Sequence, residues 1–268
     1  CKGDTVSSRD FPPKPLPLNF CGQCLGAFFA TNMSESQLSD FYNLKYDHYL
    51  HEAVKEFESG NFESIENQLD WVLQSITDSE ESFDTVIEYG SSYPVLSARL
   101  KQIMPNVEFI CVEPNEEARI WGRAKGIVGV SNHKDLSTRK RKMFVIFNHV
   151  LEHLPNPSRV ISELYSDALP GSVGIGTVPN WNSLIARLDE SEWEWFAYPE
   201  HLNYFTPIGM TLMIKRLGLQ LDTMQTLNES QKTIISGNRV GINFSTAELK
   251  VVNESLLGNE LRFKFTLR

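Results

Sequence analysis

Two hydrophobic periodicities divide the chain. From Ser36 to Asp78, in "SQLSDFYNLKYDHYLHEAVKEFESG" and "NFESIENQLDWVLQSITD", apolar and aromatic residues recur three and four positions apart, each run after a Ser or Asn able to cap it. That spacing predicts two helices. Then the period shortens. "FDTVIEY", "VEFICVE", "KMFVIFN" and "SVGIGTVP" are short apolar runs bounded by turn residues, and the stretches between them suit helices, as in Val95 to Ile103, where Leu96, Leu100 and Ile103 share a face. Such alternation predicts an α/β fold, a parallel sheet with helices on both sides. Past Thr206 a helix through Leu217 stops at Gly218, "LQLDTMQT" follows, and "ELRFKFTLR" alternates in the two-residue period of a half-exposed strand that finishes the sheet. At the other end, the prolines of "FPPKPLPLNF" forbid helix and predict an extended ribbon. The expected domains are therefore residues 1–35, a ribbon; 36–80, a helical lead-in; and 81–268, the sheet domain.

Composition narrows the class. Of the 268 residues, 41% are hydrophobic and 22% charged, which is globular, and no apolar run has the length of a membrane span. A soluble, cytoplasmic protein is expected. The formal net charge of -9 argues against a nonspecific grip on nucleic-acid phosphates, and the basic run Arg139 to Lys142 reads as solvated loop. Of the four cysteines, Cys111 lies inside an apolar run and reads as a buried thiol. Cys21-Gly22-Gln23-Cys24 has the spacing of half a zinc knuckle, with Gly22 allowing the tight turn and Cys1 as the remaining candidate ligand. A redox pair and incidental cysteines are the alternatives.

The chemistry concentrates at the turn after the first apolar run, "VIEYGSSYP". A dinucleotide needs several glycines, because its pyrophosphate presses against bare backbone at a helix N-terminus. Here only Gly90 remains, and Pro94 removes a donor, so NAD is disfavoured. S-adenosylmethionine carries an ammonium, a carboxylate and two ribose hydroxyls in place of phosphate. Glu88 can attract the ammonium, Gly90 lets the chain pass close, and Glu113, 25 residues on, can accept both hydroxyls.

With these, "FICVEP", "VIFNHVLEHLPNP", "ALPGSVGIGTVPN" and "EHLNYFTPIGMTLMIKRLGL" follow in the order found in class I S-adenosylmethionine-dependent methyltransferases, which the chain resembles from Phe83 to Thr226. The resemblance is to the branch with "LEHL.DP" and "H..YF" motifs, which includes sugar and small-molecule C- and O-methyltransferases, some led by a zinc ribbon. It implies a Rossmann-like, mostly parallel seven-stranded sheet. It also implies a cofactor site made by Glu88, Gly90, Ser91, Glu113, Pro114, Asn148 and His149.

His149-Val150-Leu151-Glu152-His153 also spells a zinc-peptidase signature, but it begins at a strand end and meets Pro155, leaving scarcely a turn of helix to hold a metal. Glu152 and His153 are instead expected to shape the wall of the site. The aromatic stretch "EWEWFAYPEHLNYFT" reads either as a core loop or as an active-site lid. In the sugar C-methyltransferases with a zinc module, a Tyr-x-Glu-His run carries the catalytic groups. By that resemblance His201 is the general base, with Tyr198 and Glu200 orienting the substrate and Tyr46 or Tyr49 within reach. Those enzymes have a further large C-terminal domain that this sequence lacks, which leaves the acceptor open among small molecules. The expectation is methyl transfer to a small-molecule acceptor, using S-adenosylmethionine and a structural zinc at Cys1, Cys21 and Cys24, in a chain that can form a homo-oligomer. A catalytically inactive methyltransferase-like binding protein is the alternative.

Overall fold

The computed structural model describes residues 6–9, 18–29, 50–79, 81–136, 140–228 and 245–268. Cys1, Tyr46 and Tyr49, Arg139, and residues 36–49 of the first expected helix lie outside them. Among the described residues no helix is long and apolar enough to cross a membrane.

The ribbon strands β1 (Val6–Arg9), β2 (Leu18–Cys21) and β3 (Ala27–Phe29) come first. Helices α1 (Leu50–Ser59) and α2 (Glu63–Thr77) follow. The four apolar runs form β4 (Thr85–Tyr89), β5 (Glu108–Val112), β7 (Met143–Asn148) and β8 (Val173–Pro179). Together with β6 (Val128–Val130), β10 (Gln220–Leu227) and β11 (Glu260–Thr266) they make one seven-stranded sheet in the order β10-β11-β8-β7-β4-β5-β6. The architecture is the expected α/β, mostly parallel, Rossmann-like one.

Pairs β4–β5, β4–β7 and β5–β6 are parallel, and Glu88 stands opposite Cys111 on one side and Ile146 on the other. The chain winds outward from β4 to β6 and then returns to β7, so strand order reverses between β4 and β7. Ligands of such sheets bind beyond the carboxyl ends at that reversal. The alternating tail β11 lies inside the sheet, between β10 and β8, with Leu261, Phe263 and Phe265 fully buried.

The described residues fall into two compact units. One spans Asn32–Asn148, Val160–Ile175 and Thr266–Arg268. Its core joins Val86, Phe109, Phe144 and Ile146 of the strands to Leu69 and Val72 of α2 and Leu96 and Leu100 of α3 (Val95–Ile103). Each fully buried side chain of this size contributes about 1.5–3 kcal/mol. Helix α4 (Glu116–Ala124) starts where Asn115 accepts the Ala118 N–H, with Glu116 and Glu117 in its first turn and Arg123 in its last, complementing the helix dipole.

The other unit spans Cys1–Thr31, His149–Arg159 and Gly176–Phe265. It contains a second, antiparallel sheet, in which the ribbon strands β1, β2 and β3 are joined by β9 (Asn203–Tyr204). Its core is aromatic: Phe29, Trp193, Phe196 and Tyr204 pack with Leu18 and Ala27. The buried Trp193 indole N–H is satisfied by Asn259 Oδ1 at 2.8 Å. Helix α6 (Leu184–Asp189) precedes that cluster, and α7 (Pro207–Arg216) starts at Thr206, whose hydroxyl accepts the Gly209 N–H, with Pro207 in the first turn. The remaining helices are α5 (Pro157–Tyr165) and α8 (Thr246–Glu254).

One glycine explains how the β4 turn tolerates its proline. A Cβ on Gly122 of α4 would meet Pro94 Cγ at 2.9 Å. Gly122→Ala is expected to destabilise the protein by about 1–3 kcal/mol through overpacking. In a Pro94→Gly background the same change should stabilise by about 0.5–1 kcal/mol, because only helix propensity remains. Urea denaturation of the four chains measures the difference, and equal effects in both backgrounds would contradict the contact.

Candidate active site

The β4 turn is held by carboxylates. Glu113, at the end of β5, accepts the Ser92 N–H on Oε2 at 2.7 Å and the Asn115 N–H on Oε1 at 2.9 Å. It thereby ties the turn after β4 to the start of α4. Ser92 stands where a nucleotide-binding turn would carry glycine, and its φ of 53° lies in the left-handed region, as does that of Gly90 at 66°. The Ser92 N–H bond to Glu113 helps hold a conformation that a serine seldom adopts. Glu88 Oε2 accepts the Ser97 N–H of α3 at 3.1 Å. Burial pushes Glu88 up to about 7, helped by the charge of Glu113, and raises Glu113 as well. Two buried carboxylates thus stand at the strand reversal. The Ser92 hydroxyl beside them is buried without a hydrogen-bond partner.

Ser91 turns its hydroxyl to the Ser92 carbonyl, and Pro114 offers its carbonyl, with that of Glu113, to the Arg119 guanidinium. Next to this turn Tyr89 donates its hydroxyl proton to His133 Nδ1 at 3.1 Å, while His133 Nε2 donates to Glu163 at 2.7 Å. Asn148 ends β7, half-buried. Cys111 is an inert thiol, as its apolar run implies, with burial pushing it up to about 12.

The residue after Asn148 begins a histidine cluster within the other unit. His149 has a φ of 45°, in the left-handed region, and its main-chain N–H is fixed by the Thr177 carbonyl at 3.0 Å. Its Nδ1 meets Glu152 Oε1 at 3.3 Å and its Nε2 meets Glu260 Oε2 at 3.2 Å. Arg262 Nε then donates to Glu260 Oε1 at 2.8 Å. The result is a chain of alternating charge. Burial alone would lower the His149 pKa, but the two glutamates raise it to about 10. Burial would likewise lift both carboxyls, yet His149 and the neighbouring cations hold Glu152 and Glu260 below the usual carboxylate range.

His201 is the opposite case. Burial and the nearby imidazole of His153 push it down to about 4, so it is neutral at physiological pH. It donates Nδ1–H to the Trp195 carbonyl at 2.7 Å, and His153 donates Nδ1–H to the Glu200 carbonyl at 2.9 Å. Trp195 lies nearly parallel to both His149 and His201, with ring centroids 5.1 and 5.9 Å away. The aromatic stretch therefore serves two purposes: Trp193, Phe196 and Tyr204 build the core, and Trp195 faces the histidines. Tyr198, joined to Pro199 by a cis peptide, packs its ring 4.6 Å from Phe29. Glu200 reaches His153 through its main-chain oxygen.

The peptidase spacing makes no helical metal face. Only Leu151–His153 forms a turn, a 3-10 one, and both ring nitrogens of His149 meet carboxylates. In the cysteine turn the left-handed residue is Leu25 at 57°, rather than Gly22. Gly26 is the glycine that space demands, since a Cβ there would meet the Tyr204 carbonyl at 2.7 Å. Cys21 and Cys24 are buried and reduced, and line a cavity of about 350 Å³ with Asn203 and Arg216. Among the described residues no third Cys, His, Asp or Glu ligand joins them, and Cys1, the remaining candidate ligand, lies outside those residues.

Residues 43–224 match a family described as the methyltransferase domain, which is more than half of the chain. The chain belongs to that family. No curated protein matches it. Solved structures with the same fold include a SAM-dependent methyltransferase from Archaeoglobus fulgidus, at 19% identity over 82% of this chain and 100% of that one, with a TM-score of 0.55. Another, from Thermotoga maritima, has 15% identity over 86% and 100% of the two chains and a TM-score of 0.54. Magnesium protoporphyrin IX methyltransferase from Synechocystis PCC 6803, with bound SAH, has 12% identity over 88% and 100%, also at 0.54.

In this methyltransferase domain the sequence points to Glu88, Gly90 and Glu113, which the structure gathers at one strand reversal, and separately to His149 and His201, which Trp195 links. It misses Glu260 and Arg262. Both lie on the alternating tail strand, more than a hundred residues from His149, and nothing local marks them as partners.

Two pH effects follow, of the same sign but different origin. His149 has a folded pKa above its unfolded value of about 6.5, so its ion chain adds stability that is whole below that pH and is lost as pH rises through about 10. The stability advantage of the wild type over His149→Gln should shrink steadily from pH 6 to 10 in urea titrations, and a constant advantage would contradict the charged ring. Glu88 also titrates upward on folding, so its burial costs stability once the unfolded carboxyl ionises. Glu88→Gln should match the wild type near pH 4 and exceed it by up to about 3 kcal/mol at pH 8. Equal stability at both pH values would show that the carboxylate is not buried uncompensated.

Proposed function

We propose that this methyltransferase domain uses S-adenosylmethionine to methylate a nucleophilic oxygen, nitrogen or carbon of a small molecule. The observation that carries the reading is the pair of buried carboxylates at the β4/β7 reversal, Glu88 and Glu113, raised by burial and set beside the unpartnered Ser92 hydroxyl. This donor set fits a cationic, hydroxyl-bearing ligand and does not suit a pyrophosphate. When bound, S-adenosylmethionine supplies a methyl group already activated on a sulfonium. Glu88, Gly90 and Ser91 would hold its amino-acid end. Glu113 uses one lone pair of each oxygen for Ser92 and Asn115 and keeps others for the two ribose hydroxyls. Pro114 and Asn148 would border the site.

On the acceptor side His201 is the proton acceptor in this reading. Its Nδ1–H is engaged by Trp195, so the neutral ring presents its lone pair at Nε2. With a pKa near 4 it does not ionise an alcohol beforehand. It receives the proton late, as the acceptor oxygen becomes strongly acidic on alkylation. Tyr198 and Glu200 orient the acceptor, and Trp195 excludes water from the imidazole faces. The net charge of -9 favours a small acceptor over a nucleic acid.

Calorimetric titration with S-adenosylmethionine and with its demethylated product tests the cofactor site. Micromolar binding is expected, lost in Glu113→Ala. His201→Gln should retain that binding while turnover of an accepted substrate falls by about 10²–10⁴. Absence of binding by the folded chain would overturn the reading, and equal loss of binding and turnover in His201→Gln would remove that residue's role.

A further inference from the structure

We propose that Glu152, His153 and His201 form a binding site for a divalent first-row transition-metal ion, whose open positions take an oxygen of the acceptor. The role given to the acceptor rests on the methyl-transfer reading; the ion site stands on the three side chains themselves. One potential ligand atom from each lies within 4.8 Å of the others. Ligands about 2.0–2.2 Å from a common ion are about 3–4 Å apart, so closing on an ion takes side-chain shifts of about an ångström.

The hydrogen bonds orient the donors for this purpose. A carbonyl oxygen only accepts, so the bonds to Trp195 and Glu200 assign the ring proton to Nδ1 in both His201 and His153. Nε2 then carries the lone pair in the neutral His201 ring, and His153 offers Nε2 to an ion once that nitrogen is deprotonated. An imidazole whose other N–H is held by a backbone carbonyl is the usual outer-shell arrangement of a metal-binding histidine. Glu152 adds a separate observation. It is 1% exposed, and although Oε1 meets His149, Oε2 is buried without any hydrogen-bond partner. An unpaired buried carboxylate oxygen is costly unless something cationic completes it.

Two imidazoles and one carboxylate suit zinc, iron, cobalt or nickel, whereas magnesium and calcium prefer oxygen ligands. Three protein ligands leave positions open, as in catalytic rather than structural sites. An acceptor hydroxyl bound there forms an oxygen–metal bond and releases its proton to solvent at a much lower pH than when free. That supplies the ionisation His201 alone does not provide. In the loaded protein His201 is a ligand, and solvent takes over its part as proton acceptor.

The test separates this site from the cysteine turn. Full-length Cys21→Ser/Cys24→Ser protein, stripped by chelator and dialysed against Zn2+ or Co2+, should retain about one equivalent. Its Co2+ spectrum should show d–d bands without thiolate charge transfer. In that background Glu152→Gln and His153→Gln should each weaken the ion by more than the roughly 10–100-fold that loss of an outer-shell partner costs. X-ray absorption of the Zn2+-loaded wild type distinguishes nitrogen and oxygen from sulfur ligands, so a variant that fails to fold does not remove the test. No retained ion, ligation by sulfur alone, or affinity unchanged in both ligand variants would overturn the proposal. S-adenosylmethionine titration of the metal-free chain is read separately: its failure would remove the methyl-transfer reading and leave the ion count standing.

Discussion

The turn after β4 depends on one carboxylate gripping two main-chain N–H groups. Glu113 bonds both Ser92 and Asn115, and so joins the exit of one strand, the exit of its neighbour and the entry of a helix. A glycine-rich turn reaches its tight curvature through backbone freedom. Here a serine reaches it by donating its N–H to a buried carboxyl. The arrangement leaves negative charge where the parallel strands end, and Gly122 leaves room for Pro94 to open the next helix. A turn poor in glycine is therefore compatible with a ligand turn, because the burden of conformation has passed from the backbone to an acid.

The histidine cluster uses charge differently. His149 is locked as a cation between Glu152 and Glu260, while His201 is kept neutral by burial and by His153. Trp195 is nearly parallel to both rings, so one indole stacks with an imidazolium and with an uncharged imidazole. Identical side chains thus acquire opposite protonation states from their partners. Glu152 belongs to both sets: one oxygen serves the cation, and the other is left over.

The periodicities made the strands and helices of the sheet legible, since burial on both faces writes continuous apolar runs and a covered helix writes three-and-four spacing. The acids at the ends of β4 and β5 were legible for a related reason: a charged residue closing an apolar run is costly unless the site needs it. Other contacts left no local trace. Glu260 pairs with His149 from 111 residues away, and only the fold brings them together. Strand β9 is two residues long, too short for any periodicity, and its place in the ribbon sheet had to be seen. The aromatic stretch resisted a single reading because alternate residues answer to different demands, Trp193 to packing and Trp195 to the histidines.

Leu202 follows His201 directly. Its carbonyl takes the Phe29 N–H, and its own N–H goes to the Glu152 carbonyl. The ribbon is therefore coupled to both sides of the histidine cluster by main-chain atoms, beside the packing of the Phe29 ring against Phe196 and Tyr198. Position 29 therefore answers two demands, a ring for the aromatic core and an N–H for the joint, and proline meets neither.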